Sequence, residues 1–202
     1  MIVIIDYNVG NLKSVQGAFS RIGLETVVTR DHELIKQAQA IVLPGVGTFP
    51  VAMENLKKYD LIDILNDRKE VGIPILGICL GMQILFEKGY EVKETKGLGF
   101  IPGTVNYMDI DEKVPHMGWN QLHFQHEHPI LKNIHENDDV YFVHSYMATC
   151  PEENLVAYSD YGKTKVTALV QNKNVIGCQF HPEKSGTVGR GILLAFKEMI
   201  SC

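Results

Sequence analysis

Four short strand-like runs, IVII (2–5), ETVVTR (25–30), AIVLPG (40–45) and PILGIC (74–79), are separated by stretches of helical periodicity. Leu12, Val15, Phe19 and Ile22 fall on one helical face, with Asn11 placed to cap its start and Gly23 to stop it. Asp31 can cap a second helix over 32–39, and 51–58, 60–71 and 80–89 complete the series. Apolar strands alternating with amphipathic helices can bury both only as a parallel sheet covered on its two faces. The expected class is therefore α/β, a central, mostly parallel sheet flanked by helices.

Near residue 90 the pattern changes. Strand-like segments crowd together at 104–108, 121–125, 139–148, 154–159, 164–171 and 174–180, and QNKNV (171–175) reads as a hairpin turn. A last helix runs over 186–200, with Ser185 near its start. An antiparallel extension of the same unit explains this better than a second domain, so residues 1–202 are expected to form one domain.

Composition narrows the class of function. Of 202 residues, 45% are hydrophobic and 21% charged, an ordinary globular balance. A net charge of −5 without a block of Lys and Arg argues against nucleic acid as the main partner. MIVIIDYN lacks the basic start of a signal peptide, and no run approaches the ~20 apolar residues of a membrane span. A cytoplasmic protein is expected. Cys79, Cys150, Cys178 and Cys202 form no CxxC and no dense framework, which favours reduced thiols.

One cysteine stands apart. LGICLGMQILF (76–86) places Cys79 at a strand-to-helix junction, in the pattern G-x-C-x-G with Gly77 and Gly81. Read alone, it is a buried core thiol or a nucleophile on a tight turn. In the second reading the Leu80 N–H lies where an oxyanion forms, and the following helix favours a thiolate. A nucleophilic thiol needs a base and a group to orient that base. CQFHPEKSG (178–186) supplies His181 and Glu183, two residues apart and on one side of an extended segment, with Pro182 favouring that geometry.

GICLGMQ with a distant HPE resembles the class I (triad) glutamine amidotransferases, over nearly the whole chain. DYNVGNLKSV, LPGVGTF, VPHMGWN, YFVHSY and GCQFHPEKS narrow the resemblance to glutaminase subunits of that family that work beside a (βα)8 cyclase in histidine biosynthesis. Asn8 departs from the pattern where Gly is common, and Asn is the residue that best replaces Gly in left-handed backbone. The resemblance implies that Cys79 attacks the side-chain amide of glutamine, that His181 relays the proton and that Glu183 orients His181. It implies an oxyanion hole of the Leu80 N–H and one from Val46 or Gly47, with Gly45 beside the substrate. It places Gln83, one helical turn beyond Cys79, and Glu91 on the bound glutamine, with the backbone of Ser145 and Tyr146 on its α-carboxylate. Trp119, the single tryptophan, with Asn120 and Asn11, is assigned to the cyclase interface. No cofactor and no metal are implied. His123, His126 and His128 have ligand-like spacing but lie in a short polar stretch before Pro129, which favours a solvated loop. His144 is expected to be structural. Another triad amidotransferase with a different acceptor, and a non-catalytic binding module, are the competing readings.

Overall fold

The computed structural model describes residues 1–200. Its strands are β1 (Ile2–Ile5), β2 (Thr26–Thr29), β3 (Ala40–Leu43), β4 (Ile75–Ile78), β5 (Phe86–Gly89), β6 (Thr95–Lys96), β7 (Ile101–Tyr107), β8 (His116–Gln121), β9 (His123–Phe124), β10 (Asp139–His144), β11 (Tyr146–Thr149), β12 (Leu155–Tyr161), β13 (Thr164–Asn172) and β14 (Val175–Cys178). Its helices are α1 (Leu12–Arg21), α2 (His32–Lys36), α3 (Phe49–Lys58), α4 (Leu61–Glu70), α5 (Leu80–Gln83) and α6 (Gly186–Ile200).

Eight strands form the main sheet in the order β2-β1-β3-β4-β14-β13-β12-β9. The first five pair in parallel and the rest antiparallel. Side chains alternate across it as the strand period requires. Ile2 and Ile4 join the cluster under α1 and α6, with Phe19 and Phe196. Val3 and Ile5 join the opposite cluster, with Phe49 of α3 and Leu65 of α4. A pair, β10-β8, packs into the first cluster through Val140 and Phe142, and a four-stranded sheet, β11-β7-β5-β6, packs into the second through Phe86, Ile101, Val105 and Ala148. The expected α/β architecture is present, with a large mixed sheet. No helix among the described residues is long and apolar enough to cross a membrane.

The caps follow the residue types. Asn11 accepts the Ser14 N–H at the start of α1, and Asp31 accepts the Glu33 and Leu34 N–H groups at the start of α2. Gly23 ends α1 at φ +71°. Asn172 and Val175 close the expected hairpin around Lys173, at φ +54°. Asn8 sits at φ +62°, the left-handed conformation that Asn tolerates better than other side chains.

Three expectations fail. The strand expected over 121–125 is divided, Gln121 ending β8 in the pair with β10 and His123–Phe124 forming β9 at the edge of the main sheet. The helix expected over 80–89 is a single turn, Leu80–Gln83, followed by β5. The Ile84 carbonyl accepts from Leu98, and that of Leu85 from Phe100 and Ile101, so the loop before β7 and its first residue take the groups a longer helix would have used. The strand expected over 139–148 breaks at Ser145. β10 pairs with β8 and β11 with β7, in different sheets.

Candidate active site

Cys79 occupies the junction of β4 and α5 with φ +54° and ψ −110°. The positive φ costs about 1–3 kcal/mol and is held by the close packing around it. The strain lies on Cys79 itself, and the flanking glycines serve close approach. A Cβ on Gly81 would stand 1.8 Å from the Leu43 carbonyl oxygen, and one on Gly77 would stand 2.6 Å from the Gly81 oxygen. The elbow is thereby pressed against the end of β3 and its PGVG loop. Because α5 is only one turn, it supplies little macrodipole. The Leu80 N–H, in that first turn, has no partner within the helix.

His181 reaches the elbow from the end of β14, which pairs with β4 so that Cys178 lies beside Ile78. The His181 backbone is fixed at both groups. Its N–H donates to the Tyr141 carbonyl at 2.9 Å, and its carbonyl accepts the Ser185 hydroxyl at 2.7 Å. His181 is extended, as Pro182 requires, but Glu183 lies in the short helical turn Pro182–Lys184. The pair therefore meets across a turn, where a continuous extended segment was expected. His181 Nδ1 and Glu183 Oε1 are 2.8 Å apart, with side chains 2% and 3% exposed. That bond occupies Nδ1 and leaves Nε2, which has no hydrogen-bond partner in the fold, as the nitrogen available to Cys79. Burial pulls the imidazole pKa down, but Cys79 and Glu183 outweigh it and carry the value up to about 9.

One cavity of about 350 Å³ gathers most of the expected residues: Val46, Gly47, Cys79, Leu80, Gln83, Glu91, Ser145, Tyr146 and His181. Gly47, at φ +122°, holds a conformation that suits glycine, and Val46 beside it is exposed. Gly45 lies behind the cavity wall. Its Cβ would stand 2.8 Å from both Gly81 N and Leu80 Cβ, so only glycine fits. Glu91 lines the cavity while its Oε2 accepts the Phe49 N–H at 2.7 Å, at the start of α3. A larger hollow of about 540 Å³ lies at Met1, Leu24 and Gln39, near the amino ends of the parallel strands and away from these groups.

A family description, glutamine amidotransferase class-I, matches residues 3–200. The chain belongs to the class-I glutamine amidotransferases. It is 60% identical over 199 residues to "Imidazole glycerol phosphate synthase subunit HisH" of Lactococcus lactis, covering 98% of each chain. It is 47% identical over 200 residues to the protein of the same name in Bacillus cereus, covering 99% of this chain and 95% of that one. Among solved structures, a glutamine amidotransferase superposes with a TM-score of 0.79 at 20% identity over the whole of both chains. PurLQS from Thermotoga maritima superposes with 0.78 at 18% identity, covering 98% of each, and these two likenesses concern the fold.

In this amidotransferase the residues assigned to a partner lie outside the cavity lining. Trp119 is 57% exposed on β8, its ring edge-on to Tyr141, whose carbonyl holds His181. Asn11 is exposed at the start of α1. Asn120 is half-buried and turns inward, its Nδ2 donating to the Asp160 carbonyl at 2.9 Å and meeting His116 Nε2 at 3.3 Å. His123 lies between Glu136 and Asp160, and the His126 and His128 rings stand 6.3 Å apart. Cys178 is buried, Cys150 half-buried, and Cys202 lies outside the described residues.

Three further residues not singled out in the sequence, Tyr7, His116 and Gln179, stand behind the cavity lining and contact residues around it. Tyr7, fully buried, donates its hydroxyl to the Pro44 carbonyl and so ties the first loop to PGVG. His116 stacks on Phe142 and Tyr161 and meets His144 at 3.0 Å. Gln179 is fully buried beside Cys79. Its signal was available: one amide interrupts the apolar run IGCQF just before His181.

Proposed function

We propose that this chain is the glutaminase subunit of an imidazole glycerol phosphate synthase, hydrolysing glutamine and passing ammonia to a (βα)8 cyclase (HisF). The observation that carries the reading is the elbow thiol in one cavity with an imidazole whose far nitrogen is held by a buried carboxylate at 2.8 Å. The 60% identity to the Lactococcus HisH protein supports the choice within the family.

The chemistry divides among named atoms. With its proton already passed to His181 Nε2, which the raised imidazole pKa favours, Cys79 Sγ attacks the side-chain amide carbon of glutamine as a thiolate. The oxyanion of the tetrahedral adduct is held by the Leu80 N–H and one from Val46 or Gly47. His181 returns the proton to the leaving nitrogen, the C–N bond breaks, and a glutamyl thioester remains. Water, deprotonated by His181, attacks the thioester, the C–S bond breaks, and glutamate leaves. Glu183 keeps Nδ1 protonated so that Nε2 faces the reaction. Gln83, Glu91 and the backbone of Ser145 and Tyr146 position the substrate, and Gly45, behind the wall, lets the PGVG loop close on the elbow. Asn11, Trp119 and Asn120 belong to the rim against which the cyclase docks. Residues 1–202 act as one domain in the cytoplasm, and hydrolysis stays weak until the partner holds its nucleotide.

The test is glutamate release from glutamine by the chain alone, then with a cyclase subunit and its nucleotide, with Cys79→Ala in parallel. Release should rise with partner and nucleotide and fall at least about a thousandfold in the variant. Wild type as silent as Cys79→Ala in the assembled complex would overturn the reading. Another amidotransferase acceptor would show as glutamate release that ignores the cyclase.

A further inference from the structure

Gln179 is a fully buried amide at the end of β14, on the segment that carries His181. Its backbone N–H is used by the Ala168 carbonyl at 2.9 Å, so the side chain alone faces the elbow chemistry. Two contacts define it. Oε1 lies 3.0 Å from Gln83 Nε2, and Nε2 lies 3.7 Å from Cys79 Sγ.

The orientation of both amides follows from one backbone group. The Tyr146 carbonyl can only accept. It takes Gln83 Nε2 at 3.0 Å and His144 Nδ1 at 2.9 Å. Gln83 therefore presents its NH₂ inward, and that NH₂ also needs the Gln179 oxygen. Gln179 is left with its NH₂ toward the sulfur. Reversing either amide would put two oxygens or two NH₂ groups face to face in a dry interior, which is costly.

We propose that Gln179 is a positioning residue of the nucleophile, giving an N–H to the Cys79 sulfur so that the thiolate is held and aimed within the elbow. It does this from the end of β14, alongside its bond to Gln83, and leaves His181 Nε2 to the proton transfer. Hydrogen bonds to charged groups have a strength that corresponds to about ten- to a hundredfold in rate. The role concerns the same site as the proposed glutaminase and rests on that function only for its kinetic consequence.

Two variants separate the sulfur contact from support of Gln83. Gln179→Glu keeps an oxygen for Gln83 and removes the donor to sulfur. Gln179→Met keeps the volume, removes both contacts and adds no buried charge. The probe is iodoacetamide at pH 7, with alkylation of the Cys79 peptide followed by mass spectrometry and folding checked by circular dichroism. Both variants should alkylate Cys79 at least about tenfold more slowly than wild type. In the assembled complex kcat for glutamine should fall by a similar factor, with KM changed less than about twofold. Should Gln179→Glu not fold, Gln179→Met is read against Gln83→Met, which removes the Gln83 contact and keeps the donor to sulfur: slowing in Gln179→Met alone sustains the proposal, and equal slowing in both overturns it. Wild-type alkylation in a folded variant overturns the proposal even if wild-type glutaminase activity is present. Slowed alkylation with no glutaminase activity in wild type sustains it and removes the proposed function instead.

Discussion

The elbow depends on a few positions where one atom more would collide with backbone. Gly81 is the sharpest case, because the Leu43 carbonyl stands where its Cβ would be, 1.8 Å away. The atoms in the way are main chain at the end of β3, so relief requires moving the loop that carries Val46 and Gly47. Gly81→Ala is expected to cost about 1–3 kcal/mol or more of stability and to abolish glutamate release. Urea denaturation with a parallel glutaminase assay measures both, and a variant of wild-type stability and activity would contradict this account. The G-x-C-x-G pattern was visible in the sequence. Its physical reason was not, since it needs the Leu43 carbonyl, 38 positions away from Gly81. His181 and Glu183 were equally visible as residue types. Their 2.8 Å contact, made across a short turn, came from the fold.

Elements carry the site outward to the surface. β8 and β10 pair so that Trp119 faces Tyr141 and His116 faces His144. Tyr141 in turn holds the His181 N–H, and His144 shares the Tyr146 carbonyl with Gln83. Contacts therefore lead from β8 by two short routes to His181 and Gln83. Trp119 is more than half exposed and makes an edge-on contact with Tyr141, so its removal empties no core. Trp119→Ala should weaken cyclase binding by about 2 kcal/mol or more, a hot-spot loss, with stability changed by less than about 1 kcal/mol. Titration calorimetry against the cyclase subunit tests it, and unchanged affinity would remove Trp119 from the interface. This ribbon was the least legible in the sequence. VPHMGWN has no clean alternation, and the break at Ser145 depends on β7 and β8 lying in different sheets.

Across the whole molecule, three buried histidines set how stability responds to pH. Burial pushes His116 and His144 down to about 4, with the Tyr146 carbonyl opposing it for His144. The folded protein keeps them neutral where the unfolded chain, near 6.5, already takes up protons, so stability falls as pH drops from about 6.5 toward 4. His181 runs the other way. Burial opposes its charge, but Cys79 and Glu183 raise it to about 9, so its contribution is complete below about 6.5 and is lost as pH rises toward 9. Melting temperature should therefore peak near pH 6–7, and a steady rise from pH 5 to 9 would contradict the assignments. By itself the sequence determined what is local and periodic: the alternation of strand and helix, the caps at Asn11 and Asp31, the turn at Gly23 and the residue types of the triad. These follow from side-chain period and from hydrogen bonds between near neighbours. Only the tertiary structure decided the one-turn α5, the split at Ser145, the inward turn of Asn120 and the Gln83–Gln179–Cys79 chain. Each depends on a carbonyl or amide from a distant strand, and a buried polar group takes whichever partner the packing brings to it.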